Sequence, residues 1–295
     1  GATGVMFSET FAGGIVRITH SWALGSTNGM TRVEDGAWLE VSGGVTVAEP
    51  IEINGDAASF YNGALRVTGG SNTWSGPITS DSQTRIGSSS GTFLDITGGM
   101  PLTKNLAMQN YGTLRFSAKP VSLASASLYA HGLGLIILNV SGNVWNTMDL
   151  RNGTMRTDVT NALPAASTLT LSPGGTLDLN GNDQTVGQMK SGEPSNTAVH
   201  TLTSAAPAVL TVDQSADTLF SGRMTGALGL TKVGAGTLTL SHALNTASGP
   251  MTVTNGTLVV APATTLGPST NIVATGGTLA LQAPAAVTNA ASLTI

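Results

Sequence analysis

The sequence predicts an all-β protein, a right-handed parallel β-helix (solenoid) with about 20 residues per coil. Three observations predict it. A short strand phrase recurs along the chain, its spacings fall near multiples of one coil, and no window holds an apolar stripe at helical period.

The phrase is a Gly, usually a small residue, an apolar residue, any residue, and usually a second apolar one. It begins at Gly36, Gly63, Gly91, Gly112, Gly153, Gly175, Gly236, Gly256 and Gly277. Apolar and polar residues alternate at period two, so one face of each strand is buried. Leu177 and Leu179 are expected to point inward while Thr176 and Asp178 point out. Leu238 with Leu240, Leu258 with Val260, and Leu279 with Leu281 repeat that choice. The leading Gly follows Asn at Asn62, Asn152 and Asn255, which suits a corner with φ > 0. Asn-Gly between alternating strands also marks two-residue hairpins. A hairpin array would not, however, repeat one phrase at so constant a register.

Successive phrase glycines are separated by 27, 28, 21, 41, 22, 61, 20 and 21 residues. Most of these lie near one, two or three times about 20, the period of a solenoid coil. The two long early intervals read as inserted loops. The expected organisation is a single continuous β-helix over 1–295, with more irregular coils over 1–115 and regular repeat coils over 150–281. One coil cannot bury its inward Leu and Val alone. Stacking coils about 4.8 Å apart pairs each strand with its neighbours, and roughly 14 coils make a rod on the order of 70 Å long. The strand-like end, Ser292 to Ile295, suggests a rod that continues in a longer polypeptide or by end-to-end packing.

Composition agrees with a repetitive β-structure. Only 9% of residues are charged, against about 25% in ordinary globular domains. Residues 233–295 carry no Asp, Glu, Lys or Arg. With 40% hydrophobic residues and a net charge of −4, the chain is not of disordered composition. The absence of Cys excludes disulfides and thiolate metal sites. There is no basic footprint for nucleic acid. The longest apolar run, Leu133 to Leu138, is too short to span a membrane. Neither nucleic acid nor membrane insertion is therefore expected. Gly1 opens neither on an initiator Met nor on a signal peptide, as in a mature product or a piece of a longer one.

The sequence shows no recognisable catalytic or metal-binding motif. Glycoside hydrolysis needs two carboxylates roughly 5 to 10 Å apart. Glu34 and Asp35 lie about one coil from Glu52 and Asp56, and Asp158 and Asp178 are 20 residues apart; solvated outward positions account for all of them. His20, His131, His200 and His242 stand alone, with no HxxxH spacing. Asn180-Gly181-Asn182-Asp183 lacks the repeated nonapeptide of calcium-binding coils and reads as an Asx turn. No catalytic residue, metal or cofactor is expected. Trp22, Trp38, Trp74, Trp145, Phe60 and Tyr61 concentrate in the first half. An aromatic row on a β-helix face can stack sugars, so Trp22, Trp38, Trp74, Trp145 and Tyr61 are the candidate surface-binding residues; packing under loops is the competing reading.

Residues 229–260 carry a further pattern. Leu230-Thr231-Lys232, Gly234, Gly236-Thr237-Leu238, Leu240-Ser241, Asn245-Thr246, Gly249, Val253 and Gly256-Thr257-Leu258 occupy its places. This stretch resembles the autotransporter-associated β-strand repeat, also called the passenger-associated transport repeat. It departs from that repeat at His242 for a Gly, an extra residue at Leu244, Ala247 for a Tyr, and Pro250-Met251 for Gly-Thr. The resemblance implies a right-handed β-helix exposed outside a Gram-negative-type cell, in a secreted or surface-displayed protein. It implies a non-enzymatic structural element, a stalk, fibre or coat subunit, whose partners are copies of itself or further β-helix repeats. An adhesin module that binds carbohydrate is the alternative, and a polysaccharide-degrading enzyme the third reading.

Overall fold

The computed structural model describes residues 14–56, 63–192, 198–267, 272–283, 286–287 and 293–294. Every regular element among them is a β-strand, and every strand pairing is parallel. The fold is a parallel β-solenoid. The chain divides into two compact units, 1–146 and 147–295.

In the first unit each coil visits three faces in turn. The first face stacks Ile15–Ile18, Trp38–Val41, Leu65–Val67, Thr84–Ser88, Leu106–Asn110 and Ser127–His131. The second stacks Thr46–Val47, Ser71–Trp74, Phe93–Ile96, Thr113–Ser117 and Leu135–Asn139. The third holds Thr31–Val33, Ile51–Ile53 and Ile78–Thr79, then Met100–Pro101 with Val121–Ser122. Inward residues of successive coils lie over one another. Leu39, Leu65, Ile86, Met108 and Ala130 form one buried column, and Trp74, Ile96, Phe116 and Leu138 form another. This continuous apolar core is what one coil cannot build alone.

The second unit follows the same plan. Its first face carries Thr147–Leu150, Thr168–Leu171 and Gln188–Ser191, and later Thr218–Phe220, Thr237–Leu240, Thr257–Val260 and Thr278–Leu281 as a separate sheet. Two long strands, Thr201–Asp213 and Arg223–Val233, turn a corner without a break, with the register shifting between Ser204 and Ala208. Leu210, Leu230, Met251 and Ile272 form a buried column beyond that corner. As expected, Leu177, Leu179, Leu238, Leu240, Leu258 and Val260 are buried. In the last coil with described side chains Leu281 is 46% exposed.

Registers of 20 to 22 residues recur, as in Thr237 with Thr257, Leu258 with Leu279, and Leu106 with Leu128. The glycine phrase does not stay on one face. It leads first-face strands at Gly36 and Gly63, second-face strands at Gly91, Gly112, Gly153 and Gly175, and first-face strands again from Gly236. The 28-residue interval between Gly63 and Gly91 is therefore a change of face, because the coil there is of ordinary length: Leu65 pairs with Ile86 and Ser71 with Phe93. The preceding interval does hold extra residues, since Ile51 pairs with Ile78, 27 residues on.

The leading glycines also serve two ends. Gly256 has φ +65°, the corner conformation expected. At Gly236 the constraint is proximity: an added Cβ would stand 2.6 Å from the carbonyl oxygen of Ala216 in the coil before it. The corners are further fixed by buried amides. Asn72 Oδ1 accepts from Gly44 N and Val45 N, Gln184 Oε1 from Leu163 N, and Asn245 Oδ1 from Met224 N. Each satisfies backbone donors that leave the ladder at a bend.

Candidate functional site

Among the described residues the predicted aromatic row is not a surface. Trp74 is 0% exposed, inside the second-face column, and Trp145 is 3% exposed. Their burial corrects the expectation that they stack sugars: in a coil the inward alternate positions take the largest apolar side chains. Trp38 is half-buried at the start of its strand, with Nε1 donating to Glu40 Oε1 at 3.4 Å. Trp22 is 68% exposed in a turn. Tyr61 and Phe60 lie outside the described residues.

Arginines hold many of the carboxylates. Arg17 reaches Glu40 from the neighbouring coil at 2.6 Å. Arg32 gathers Glu34 at 2.7 Å, Glu52 at 3.0 Å and Asp81 at 3.5 Å. Asp158 and Asp178 do not face each other, because the register offset is 22 residues and sets Arg156 opposite Asp178. Arg156 holds Asp158 at 2.7 Å, and Asn180 bonds both acids, through Nδ2 to Asp158 and through its backbone N–H to Asp178. Paired outward ladders of this kind tie coils together, and neither acid is placed as a general acid or base. Among the described residues no three His, Asp or Glu side chains group as metal ligands.

Sequence reasoning missed a cleft in the second unit. First-face strands there are normally about one coil apart, but Ser191 is followed by Ser221, 30 residues on. The strands Gln188–Ser191 and Thr218–Phe220 belong to different sheets, and side chains bridge them. Thr218 Oγ1 donates to Met189 O at 2.6 Å, Met189 N donates to Gln214 Oε1 at 3.2 Å, and Ser221 N donates to Ser191 Oγ at 2.7 Å. Beside this break opens a cleft of about 710 Å3 whose walls include Lys190, Ser191, His200, Asp217, Ser221 and His242.

The polar groups of the cleft form a chain. His200 is buried, edge-on to Phe220 with ring centroids 5.4 Å apart, and its Nε2 lies 2.6 Å from Ser191 Oγ. Ser191 Oγ also accepts from Ser221 Oγ at 3.0 Å and from the Ser221 N–H. A hydroxyl has two acceptor positions and one proton. With both acceptor positions filled, the Ser191 proton is the one that can serve His200 Nε2, an arrangement that matches the neutral ring protonated on Nδ1. Burial holds the His200 pKa below the usual histidine value, and the neighbouring His242 adds to that. His242, itself lowered by burial and by Arg223, accepts at Nδ1 from Leu244 N. Only spacing hinted at the site: 61 residues separate Gly175 from Gly236, with no phrase between.

One coil further on, Lys232 is 0% exposed. Its Nζ donates to the carbonyls of Val233 at 2.6 Å, Gly234 at 2.7 Å and Asn255 at 3.3 Å. Burial lowers its pKa, opposed by Asp213 and Asp217. It is a cationic plug at a corner, bonded to the coil that follows. Lys232, Gly234, Gly236, Asn245 and Gly256 thus each meet a demand of coil stacking.

Residues 230–260 match the passenger-associated-transport-repeat. No curated protein and no solved structure matches the chain. The passenger-associated-transport-repeat here spans just over one coil. It runs from the end of the long strand Arg223–Val233 through Thr237–Leu240 and the corner at Asn245 to Met251–Val253, and closes on Thr257–Val260. Together, the passenger-associated-transport-repeat and the β-solenoid fit an autotransporter passenger-like β-helix. The repeat family implies a secreted or surface-displayed protein and suggests a structural, non-enzymatic domain.

Proposed function

We propose that the chain is a structural element of a surface-displayed bacterial passenger, a stalk, fibre or coat segment whose work is to hold its form outside the cell. The observation that carries this reading is the match of residues 230–260 to a passenger repeat that coincides with one stacked coil. Supporting it, Glu40, Glu52 and Asp95 are spent on coil-to-coil ion pairs with Arg17, Arg32 and Arg115. The expected partners are further β-helix coils, of the same polypeptide or of another copy, because a coil's open strand edges and inward side chains are matched by a like coil.

The test is to raise antibodies to the chain, label intact cells of its source, and shave them with protease. Surface label that protease removes supports the reading; protein found only inside intact cells sinks it. Electron microscopy of the native material distinguishes extended fibres from discrete particles. A glycan-binding role is the second reading, favoured by exposed Trp22 and half-buried Trp38 in the first unit. Retention on a glycan array that Trp22→Ala abolishes would establish it.

A further inference from the structure

At the break in the second unit Ser191 and Ser221 hold one coil to the next, and the cleft beside them gathers more polar groups than that bridge needs. An added Cβ on Gly222 would stand 2.5 Å from both His200 Cδ2 and Phe220 Cζ, so the glycine is what seats the imidazole. The two serines differ in their hydrogen bonds. Ser191 Oγ has both acceptor positions filled and its proton committed to His200 Nε2. Ser221 Oγ donates to Ser191, which leaves its lone pairs for the cleft it lines. Both side chains are half-buried, so the group is reachable from solvent. Val199 and Leu219, exposed apolar residues, form a shelf beside it. A cleft of about 710 Å3 is of the size that small-molecule sites take.

We propose that this cleft is an acyl-transfer site in which Ser221 Oγ is the nucleophile, Ser191 the proton relay and His200 the base, acting on esters of short-chain carboxylic acids. Ser221 Oγ bonds to the ester carbonyl carbon. Its proton passes to Ser191 Oγ as the Ser191 proton moves to His200 Nε2, which becomes an imidazolium. The tetrahedral adduct collapses, the bond from carbon to the alcohol oxygen breaks, and the alcohol leaves with the proton returned from His200. The products are an acyl ester of Ser221 and a free alcohol, with no oxidant or reductant required. The neutral ring that buried His200 retains is the form a base needs. The inference goes beyond the scaffold reading and does not depend on it.

The test uses the whole chain with p-nitrophenyl acetate and, separately, a fluorophosphonate probe, read by intact mass and peptide mapping. Expected is one adduct, on Ser221, absent in Ser221→Ala. Ser191→Ala and His200→Gln should each slow acylation about a hundredfold or more, while Ser191→Thr, which keeps the hydroxyl, should stay within about tenfold of wild type. The wild-type rate should rise with pH through one deprotonation below the usual histidine value, a step absent in His200→Gln. The charged and titratable groups around that ring are His242, Lys190, Asp217 and Arg223. Circular dichroism melts verify folding; should Ser191→Ala not fold, Ser191→Thr and His200→Gln decide. No adduct on Ser221 in folded wild type, or equal acylation of wild type and His200→Gln, overturns the proposal.

Discussion

Replacing Lys232 with Met tests whether the repeat's lysine is an internal plug. Met has a similar length and no charge, so it fills the volume but leaves the carbonyls of Gly234 and Asn255 without that donor, while Val233 O keeps its bond from Gln214 N. A buried polar group left unsatisfied costs about 1–3 kcal/mol. Two such groups set an upper figure of about 2–6 kcal/mol. Against this stands the gain from no longer burying an ammonium, the same effect that lowers the lysine's pKa. The two oppose, and the bonds of 2.6 and 2.7 Å favour the lysine, so the expected net loss is about 1–3 kcal/mol. The assay is urea unfolding followed by circular dichroism, with the midpoint falling and the slope unchanged. Hydrogen exchange should quicken first in Thr237–Leu240 and Thr257–Val260. The control is Lys190→Met, at an exposed position, expected to change stability by no more than about 0.5 kcal/mol. Equal or greater stability in Lys232→Met would refute the reasoning: desolvation would then outweigh the three bonds.

Inward and outward positions should separate cleanly. Leu238→Ala opens a cavity between Phe220 and Leu258 coils and should cost about 2–5 kcal/mol, whereas its outward neighbour Thr239→Ala should cost under about 0.5 kcal/mol; thermal melts of the pair measure both. Trp74→Ala should cost about 3–5 kcal/mol and Trp22→Ala almost nothing, in urea titrations, because the first is in the core and the second in solvent. Stability should also fall on acidification. His200 and His242 have folded pKa values below their unfolded value, so the unfolded chain takes up more protons; their contribution is full above about pH 6.5 and is lost as pH falls through that value towards the lower folded ones. The melting temperature should drop between neutral and mildly acidic buffer, and less so in His200→Gln. Gly236→Ala should cost about 1–3 kcal/mol in the same melts, since its Cβ would press on Ala216 O.

The sequence by itself determined the kind of protein this is. Alternation in Leu238-Thr239-Leu240 and Leu258-Val259-Val260 marks one buried side of a strand, and recurrence after about 20 residues marks a coil. Both are local facts, because each inward Leu meets its counterpart from the next turn at a fixed chain distance. Its repeat at 230–260 was equally readable, since Lys232, Gly236 and Gly256 answer to constraints within one coil of themselves.

What only the tertiary structure decided is which face a strand joins. The same phrase leads first-face strands at Gly63 and second-face strands at Gly91, because face is set by the summed lengths of the intervening corners. Those corners vary and carry no period. The fates of Trp74 and Trp145 were hidden for that reason, as an aromatic residue is core or surface by its alternate position once the corner is placed. So was the cleft: Ser191, His200 and Ser221 meet only because one coil is longer than the rest, and side chains replace the backbone ladder where it fails.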